Sequence, residues 1–243
     1  MIIKISFREC RDLNKTDVII SQARKEGRIV LLEPEAKTIC MEYGIPVTKF
    51  SVAKTEQEAA DFAEKTGFPV VLKIVSQDII HKTDAGGVVM NLKSKDEVEV
   101  AFKKIMENVA KYKADAKIEG ILVQEMAPQA TEVIVGSIKD PQFGQTLMFG
   151  LGGIFVELLK DVTFRIAPIT EQEAAEMIVG VKAFPLLNGY RHMPAADVKA
   201  IVNVLMCVSK LVMDHPEFKE LDLNPVLAYE KGTKTVDARI ILE

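Results

Sequence analysis

Val70-Val71-Leu72-Lys73-Ile74-Val75 is a short β-branched run with a single charge in it. Eight residues after that lysine, His81-Lys82-Thr83-Asp84-Ala85-Gly86-Gly87-Val88 leads through a glycine pair into a second apolar run. The first run reads as a strand. An ammonium on a strand is expensive to bury without a partner. A strand lysine beside a glycine-rich connection is therefore a candidate phosphate contact, and His81 is the nearby side chain able to carry a phosphoryl group. Gly86 and Gly87 let the backbone come close to an anion. No Gly-Lys-Ser/Thr follows them, so this is not a P-loop, and the dinucleotide fingerprint is absent too. Each piece alone has a plainer reading. Lys73 can end a strand with its head in water, the glycines can make a tight turn, and His81 can fill space.

Working outward, residues 56–66 repeat Ala59, Ala60, Phe62 and Ala63 at helical spacing, with Gly67 and Pro69 as stops. Residues 95–112 place Val98, Ala101, Phe102, Ile105 and Val109 on one helical face. Residues 34–44 read as a helix opened by Pro34 and ended by Gly44. Residues 121–126 read as a strand. This half is expected to be a βαβ-like alternation around a small mixed sheet. From about residue 127 the pattern turns β-rich, with Gly150-Leu151-Gly152-Gly153 interrupting. Helices are expected near 171–179 and 196–213, and two closing strands near 221–229 and 234–241. The whole is α+β, in two lobes meeting near residues 125–128.

The closing strands carry Glu220-Leu221-Asp222-Leu223-Asn224-Pro225 and Val236-Asp237-Ala238-Arg239 around Glu230-Lys231-Gly232-Thr233. Period two puts Asp222 and Asn224 on one face and the leucines on the other. A turn centred on Glu230-Lys231 sets Asn224 opposite Asp237, with Cβ atoms about 5 Å apart. An amide oxygen and a carboxylate so placed can share a magnesium ion, which takes few protein oxygens. A solvated hairpin face is the alternative.

Composition narrows the classes. The 243 residues are 48% hydrophobic and 27% charged, with a formal net charge of -4 and both signs interspersed. That fits a globular protein and gives no basic stripe for nucleic acid. Cys10, Cys40 and Cys207 form neither a disulfide framework nor a zinc pattern. No apolar run reaches the roughly 20 residues of a membrane helix, and no signal peptide is legible. A cytoplasmic protein is expected.

Pro69 to Lys73, His81 to Val88, Gly150 to Gly153, and Glu220 to Pro225 with Asp237 together resemble the ATP-grasp β subunits of ADP-forming acyl-CoA synthetases, above all the acetyl-CoA branch, with succinyl-CoA synthetase β subunits as relatives. The likeness runs from about residue 20 to the C-terminus. It implies an ATP-grasp fold: an N-terminal arm over 1–27, a smaller lid-like lobe over 28–126, and a second lobe over 127–243 with a metal-binding hairpin. It implies an acid–thiol ligase reaction in which acetyl-CoA, ADP and phosphate give acetate, CoA and ATP. A partner α subunit, expected in an α2β2 heterotetramer, would bind CoA and carry a phosphohistidine. ADP or ATP and Mg2+ are the implied cofactors. Lys73, with Gly86 and Gly87, would meet the phosphates. Gln124, Glu125 and Met126 would line the adenine and ribose site at the hinge, and Asn224 and Asp237 would hold magnesium. His81 would relay the phosphoryl group, Asp222 would assist that histidine, and Arg165 would neutralise the moving charge. Two other readings remain at this stage: another ATP-grasp carboxylate ligase, and a nucleotide-binding regulatory subunit without chemistry.

Overall fold

The computed structural model describes residues 14–79, 81–153, 156, 158–190 and 194–243. The start of the expected arm, with Cys10, lies outside them. From Asn14 the chain is helical: α1 (Lys15–Lys25) is capped by the Asn14 side chain, which accepts from the Asp17 N–H. α2 (Glu33–Glu42) follows, with a proline in its first turn.

A four-stranded sheet comes next. Its strands are β1 (Phe50–Ala53), β2 (Val70–Ser76), β3 (Val88–Leu92) and β4 (Ile118–Glu125), in the order β1-β4-β2-β3. Every pairing is antiparallel, so the expected mixed sheet is corrected. Helices α3 (Glu56–Thr66) and α4 (Lys95–Tyr112), opened by Thr55 and Ser94 caps, cover one face. Val70, Leu72 and Ile74 pack there with Ala60, Ala63, Ile105 and Val109. Alternation along β2 therefore sends Lys73 to the other face.

The second sheet contains β5 (Thr131–Asp140), β6 (Gly144–Leu151), β7 (Val162–Ile166), β8 (Phe218–Ala228), β9 (Thr233–Thr235) and β10 (Ala238–Leu242). The order is β10-β8-β5-β6-β7, with β9 also on β8. Helices α5 (Glu171–Val179) and α6 (Val198–Asp214) supply Met177, Ile178, Leu205, Val208 and Val212 to its core, against Val135, Leu147, Phe149, Leu221 and Leu223. Asp222 and Asn224 fall on the uncovered face for the same reason as Lys73.

The two cores divide the chain differently from the expected boundaries. Ile20, Ala23, Leu31, Ala36, Ile39, Cys40 and Ile45 are buried in the second core, not the first. Where it is described, the expected arm is thus a packed helix, and the expected first lobe gives residues 28–45 to its neighbour. The reason is apolar spacing: Ala36, Ile39 and Cys40 make one stripe on α2, and α2 lies beside β10. Among the described residues, no helix is long and apolar enough to cross a membrane.

Candidate functional site

The uncovered faces of the two sheets converge on Glu33, in the first turn of α2. Its carboxylate is buried, with a side-chain exposure of 3%. Oε1 accepts from the ammonium of Lys73 at 2.7 Å and lies 3.0 Å from that of Lys37; Oε2 accepts from Lys82 at 2.5 Å. Burial alone would raise this carboxyl, but the three ammonium groups outweigh it and hold it down to about 2. Lys37 shows the opposite balance. Burial pushes it down to about 8, with Glu33 opposing. Its ammonium also donates to Thr48 Oγ1 at 3.1 Å and to Gln124 Oε1, and sits 5.5 Å from the Phe50 ring centre. Burial opposes the charge on Lys82 as well, yet Glu33 and Asp237 raise it above its ordinary range.

From Glu33 the site continues to the terminal β-ribbon. Lys73 Nζ lies 3.3 Å from the Val236 carbonyl and 3.4 Å from Asp237 Oδ2. Ala238 pairs with Leu223 and Thr235 with Val226, which sets Asp237 opposite Asn224. The Asn224 N–H donates to the Asp237 carbonyl at 3.3 Å. The expected opposition of these two residues is therefore present, and the expected lysine lies beside them. Asp222 faces Arg239 two pairs further along, on the same face. Burial raises the Asp222 carboxyl, with Arg239 pulling the other way.

Two open cavities meet here. One, of about 370 Å³, is lined by Lys73, His81, Lys82, Thr83, Asp84 and Asp237, among others. The other, of about 280 Å³, includes Glu33, Lys82, Asp222, Asn224, Asp237 and Arg239. Lys82 and Asp237 belong to both and form the wall between them. His81 is exposed in the first cavity, and Asp222 lies in the second.

Three expected groups line neither cavity. Arg165 pairs with Leu147, which pairs with Ser137 and then Leu221; Asp222 shares its row with Gly136, Met148 and Phe164. Arg165 is therefore on the opposite face of the sheet from Asp222, 3.7 Å from Glu176 of α5. The Gly86 and Gly87 N–H groups already donate to Thr83 O at 3.0 Å and Lys82 O at 2.7 Å. These glycines shape the turn rather than offer amides to an anion. Gly86 has φ +62°, and a Cβ on Gly87 would come 2.5 Å from Ile74 Cγ2. Gln124, Glu125 and Met126 line neither cavity. Gln124 is turned onto Lys37. Glu125 accepts from the Lys49 N–H at 2.6 Å and pairs with Lys234 at 3.0 Å, and the Met126 N–H donates to Pro69 O.

Glu33, Lys37, Lys82 and Arg239 escaped the sequence reading. A signal existed for two of them: a Glu and a Lys four apart at a helix start are neighbours on one face.

A magnesium ion fits the ribbon. Among the described residues, no group of three His, Cys, Asp or Glu side chains could hold a metal. Asn224 and Asp237 offer two hard oxygen donors on one wall of an open cavity, which suits an ion that completes its shell with water and phosphate.

The ATP-grasp domain family matches residues 22–242. The chain is 51% identical over 228 residues, 94% of its length, to the acetate–CoA ligase [ADP-forming] I subunit beta of Pyrococcus furiosus, covering 98% of that protein. Two solved structures of the dinucleotide-forming acetyl-coenzyme A synthetase 1 of Ca. Korarchaeum cryptofilum are also similar. One, with coenzyme A, Ca-AMPCP and HgCl+, is 52% identical with a TM-score of 0.92, over 95% of this chain and 100% of that one. The other holds coenzyme A and Mg-AMPPCP, with a phosphohistidine segment pointing towards its nucleotide binding site. It is 48% identical with a TM-score of 0.84, over 94% and 100%.

Proposed function

We propose, for a chain that belongs to the ATP-grasp β subunits of ADP-forming acetate–CoA ligases, that Lys73 and the Asn224–Asp237 ribbon hold Mg-ADP while His81 passes it a phosphoryl group. The chain is the nucleotide-binding part of an acid–thiol ligase. The overall reaction converts an acyl-CoA, ADP and phosphate into the acid, CoA and ATP. A partner α subunit supplies the CoA site and a phosphohistidine, in an α2β2 assembly that works in the cytoplasm, where its nucleotide is found.

The observation that carries this reading is the 3.4 Å approach of Lys73, on β2, to Asp237, 164 positions away between β9 and β10. Phosphoryl transfer asks a protein mainly for position and positive charge. Lys73 and Lys82 bring ammonium groups to the cavity that His81 lines. Glu33 aims both by accepting from each ammonium, and with Asp237 it raises Lys82 above its ordinary range. Asn224 and Asp237 would hold magnesium, whose chemistry here is to neutralise phosphate oxygens. His81 is exposed beside both lysines, so an imidazole nitrogen can take the phosphoryl group and release it to the ADP β-phosphate. Gln124, Glu125 and Met126 would form the nucleobase end, as the resemblance implies.

Mixing the chain with a candidate α subunit and following ATP made from acetyl-CoA, ADP and phosphate tests the proposal. ATP should form only with both subunits and a divalent cation. Failure with every α subunit of this ligase class, or ATP hydrolysis driven by one acid without any partner, would overturn it.

A further inference from the structure

The cavity of about 280 Å³ contains a cation that the reading above does not use. Arg239 stands on β10, exposed, directly opposite Asp222 and two positions beyond Asp237 on the same face. That spacing is about 7 Å along a strand. Among the described residues its guanidinium makes no hydrogen bond or ion pair. Lys82, by contrast, is drawn onto Glu33 at the wall between the cavities. So among the described residues the cavity holding Asp222 is lined by two cations, Lys82 at its wall and Arg239 opposite Asp222. Arg165, the arginine expected to meet moving negative charge, faces the helix side of the sheet.

We propose that Arg239 is a catalytic residue of the phosphoryl transfer: its guanidinium grips the phosphoryl oxygens as the group crosses the Asp222 cavity towards the Lys82–Asp237 wall. This rests on the reading that the subunit accepts a phosphoryl group for ADP. A planar guanidinium suits the task, because it can bond two phosphoryl oxygens at once from one side. The other side of the group then faces Lys82 and the donors at Asn224 and Asp237. In the transfer, the P–N bond of a phosphorylated imidazole breaks and its electron pair returns to that ring nitrogen. The ring keeps the proton on its other nitrogen and leaves neutral. A lone pair on an ADP β-phosphate oxygen forms the new P–O bond. Arg239 gains and loses no proton; it stabilises charge on the group in transit. Asp222, opposite, keeps the arginine at the cavity mouth until the more highly charged phosphoryl group arrives.

The test uses the reconstituted complex with its α subunit. Wild type, R239K and R239A are compared for kcat and KM(ADP) in ATP formation from acetyl-CoA, ADP and phosphate, and for Mg-ADP binding by calorimetry. R239A should lose about 100-fold in kcat, the scale of one lost transition-state donor. Its KM(ADP) and Mg-ADP affinity should stay within about twofold of wild type. R239K should recover part of the loss. An R239A complex with wild-type kcat overturns the assignment and leaves the function standing. Parallel loss of Mg-ADP affinity also overturns it, since Arg239 would then belong to the nucleotide. A wild-type complex that makes no ATP overturns the function, and this inference with it.

Discussion

Lys73 is a buried ammonium with three oxygen neighbours, from Glu33, Val236 and Asp237. Its position follows from one rule, the alternation of side chains along β2, and from one long-range fact, that the terminal ribbon passes in front of it. His81 is held differently, by a turn in which its carbonyl accepts from the Ala85 N–H. Its imidazole stays exposed in the cavity with Lys73 and Lys82. His81→Ala should abolish ATP formation by the reconstituted complex yet leave Mg-ADP affinity within about threefold, because lysines and ribbon remain. Full turnover by that variant would remove the relay.

At the scale of elements, the β2–β3 connection and α2 do most of the positioning. The connection is fixed by Gly87, where a methyl group would meet Ile74 Cγ2 at 2.5 Å and Lys82 O at 3.0 Å. Ile74 is a core side chain with no room to give, so Gly87→Ala should displace His81 and Lys82 together. Thermal melts should show a loss of about 1–3 kcal/mol, as overpacking does, and turnover should fall more than Mg-ADP affinity. Helix α2 contributes Glu33, whose effect is legible against pH. Its folded value of about 2 lies below the ordinary 4.5, so its stabilisation is present above pH 4.5 and is lost as pH falls from there towards 2. The gap corresponds to on the order of 3 kcal/mol. Lys37 works in the other direction: held at about 8 against 10.5, it makes the folded state gain stability as pH rises between those values. Glu33→Gln should therefore be less stable at pH 7, by about 3–5 kcal/mol for an uncompensated buried cluster. It should also show a shallower decline between pH 5 and 2 in denaturant titrations. An unchanged acid limb would mean that the three lysines do not depend on this carboxylate.

For the whole molecule, Glu33 is the joint. It rides on a helix packed in the second core and grips Lys73 of β2 and Lys82 of the β2–β3 connection. Ligand at the same junction should therefore stabilise both cores together. Saturation with Mg-ADP at about 100 times its Kd should stabilise the fold by about 2.7 kcal/mol, seen as one cooperative upward shift in Tm. Asp237→Ala should remove most of the magnesium-dependent part of that shift, while ADP without metal still gives the remainder. Two separate melting transitions, with only one moved by ligand, would contradict the joint.

Most elements, though not α1, are legible in local sequence pattern. Helical spacing marked α3, α4 and α6. Alternation put Asp222 and Asn224 on the face opposite the leucines, and the Glu230–Thr233 turn set Asn224 against Asp237, because register in a hairpin is a local matter of turn chemistry. Contacts between elements distant in the chain are not legible in that way. Glu33 reaches Lys73 across 40 positions and Lys82 across 49, and nothing local to any of the three announces the other two. The face that Arg165 takes depends on how β7 pairs with β6, and no local turn signal in the sequence fixes that register. The placement of α1 and α2 on the second core was equally out of reach. An apolar stripe states that a helix must be covered, while the surface that covers it is chosen by the assembled sheets.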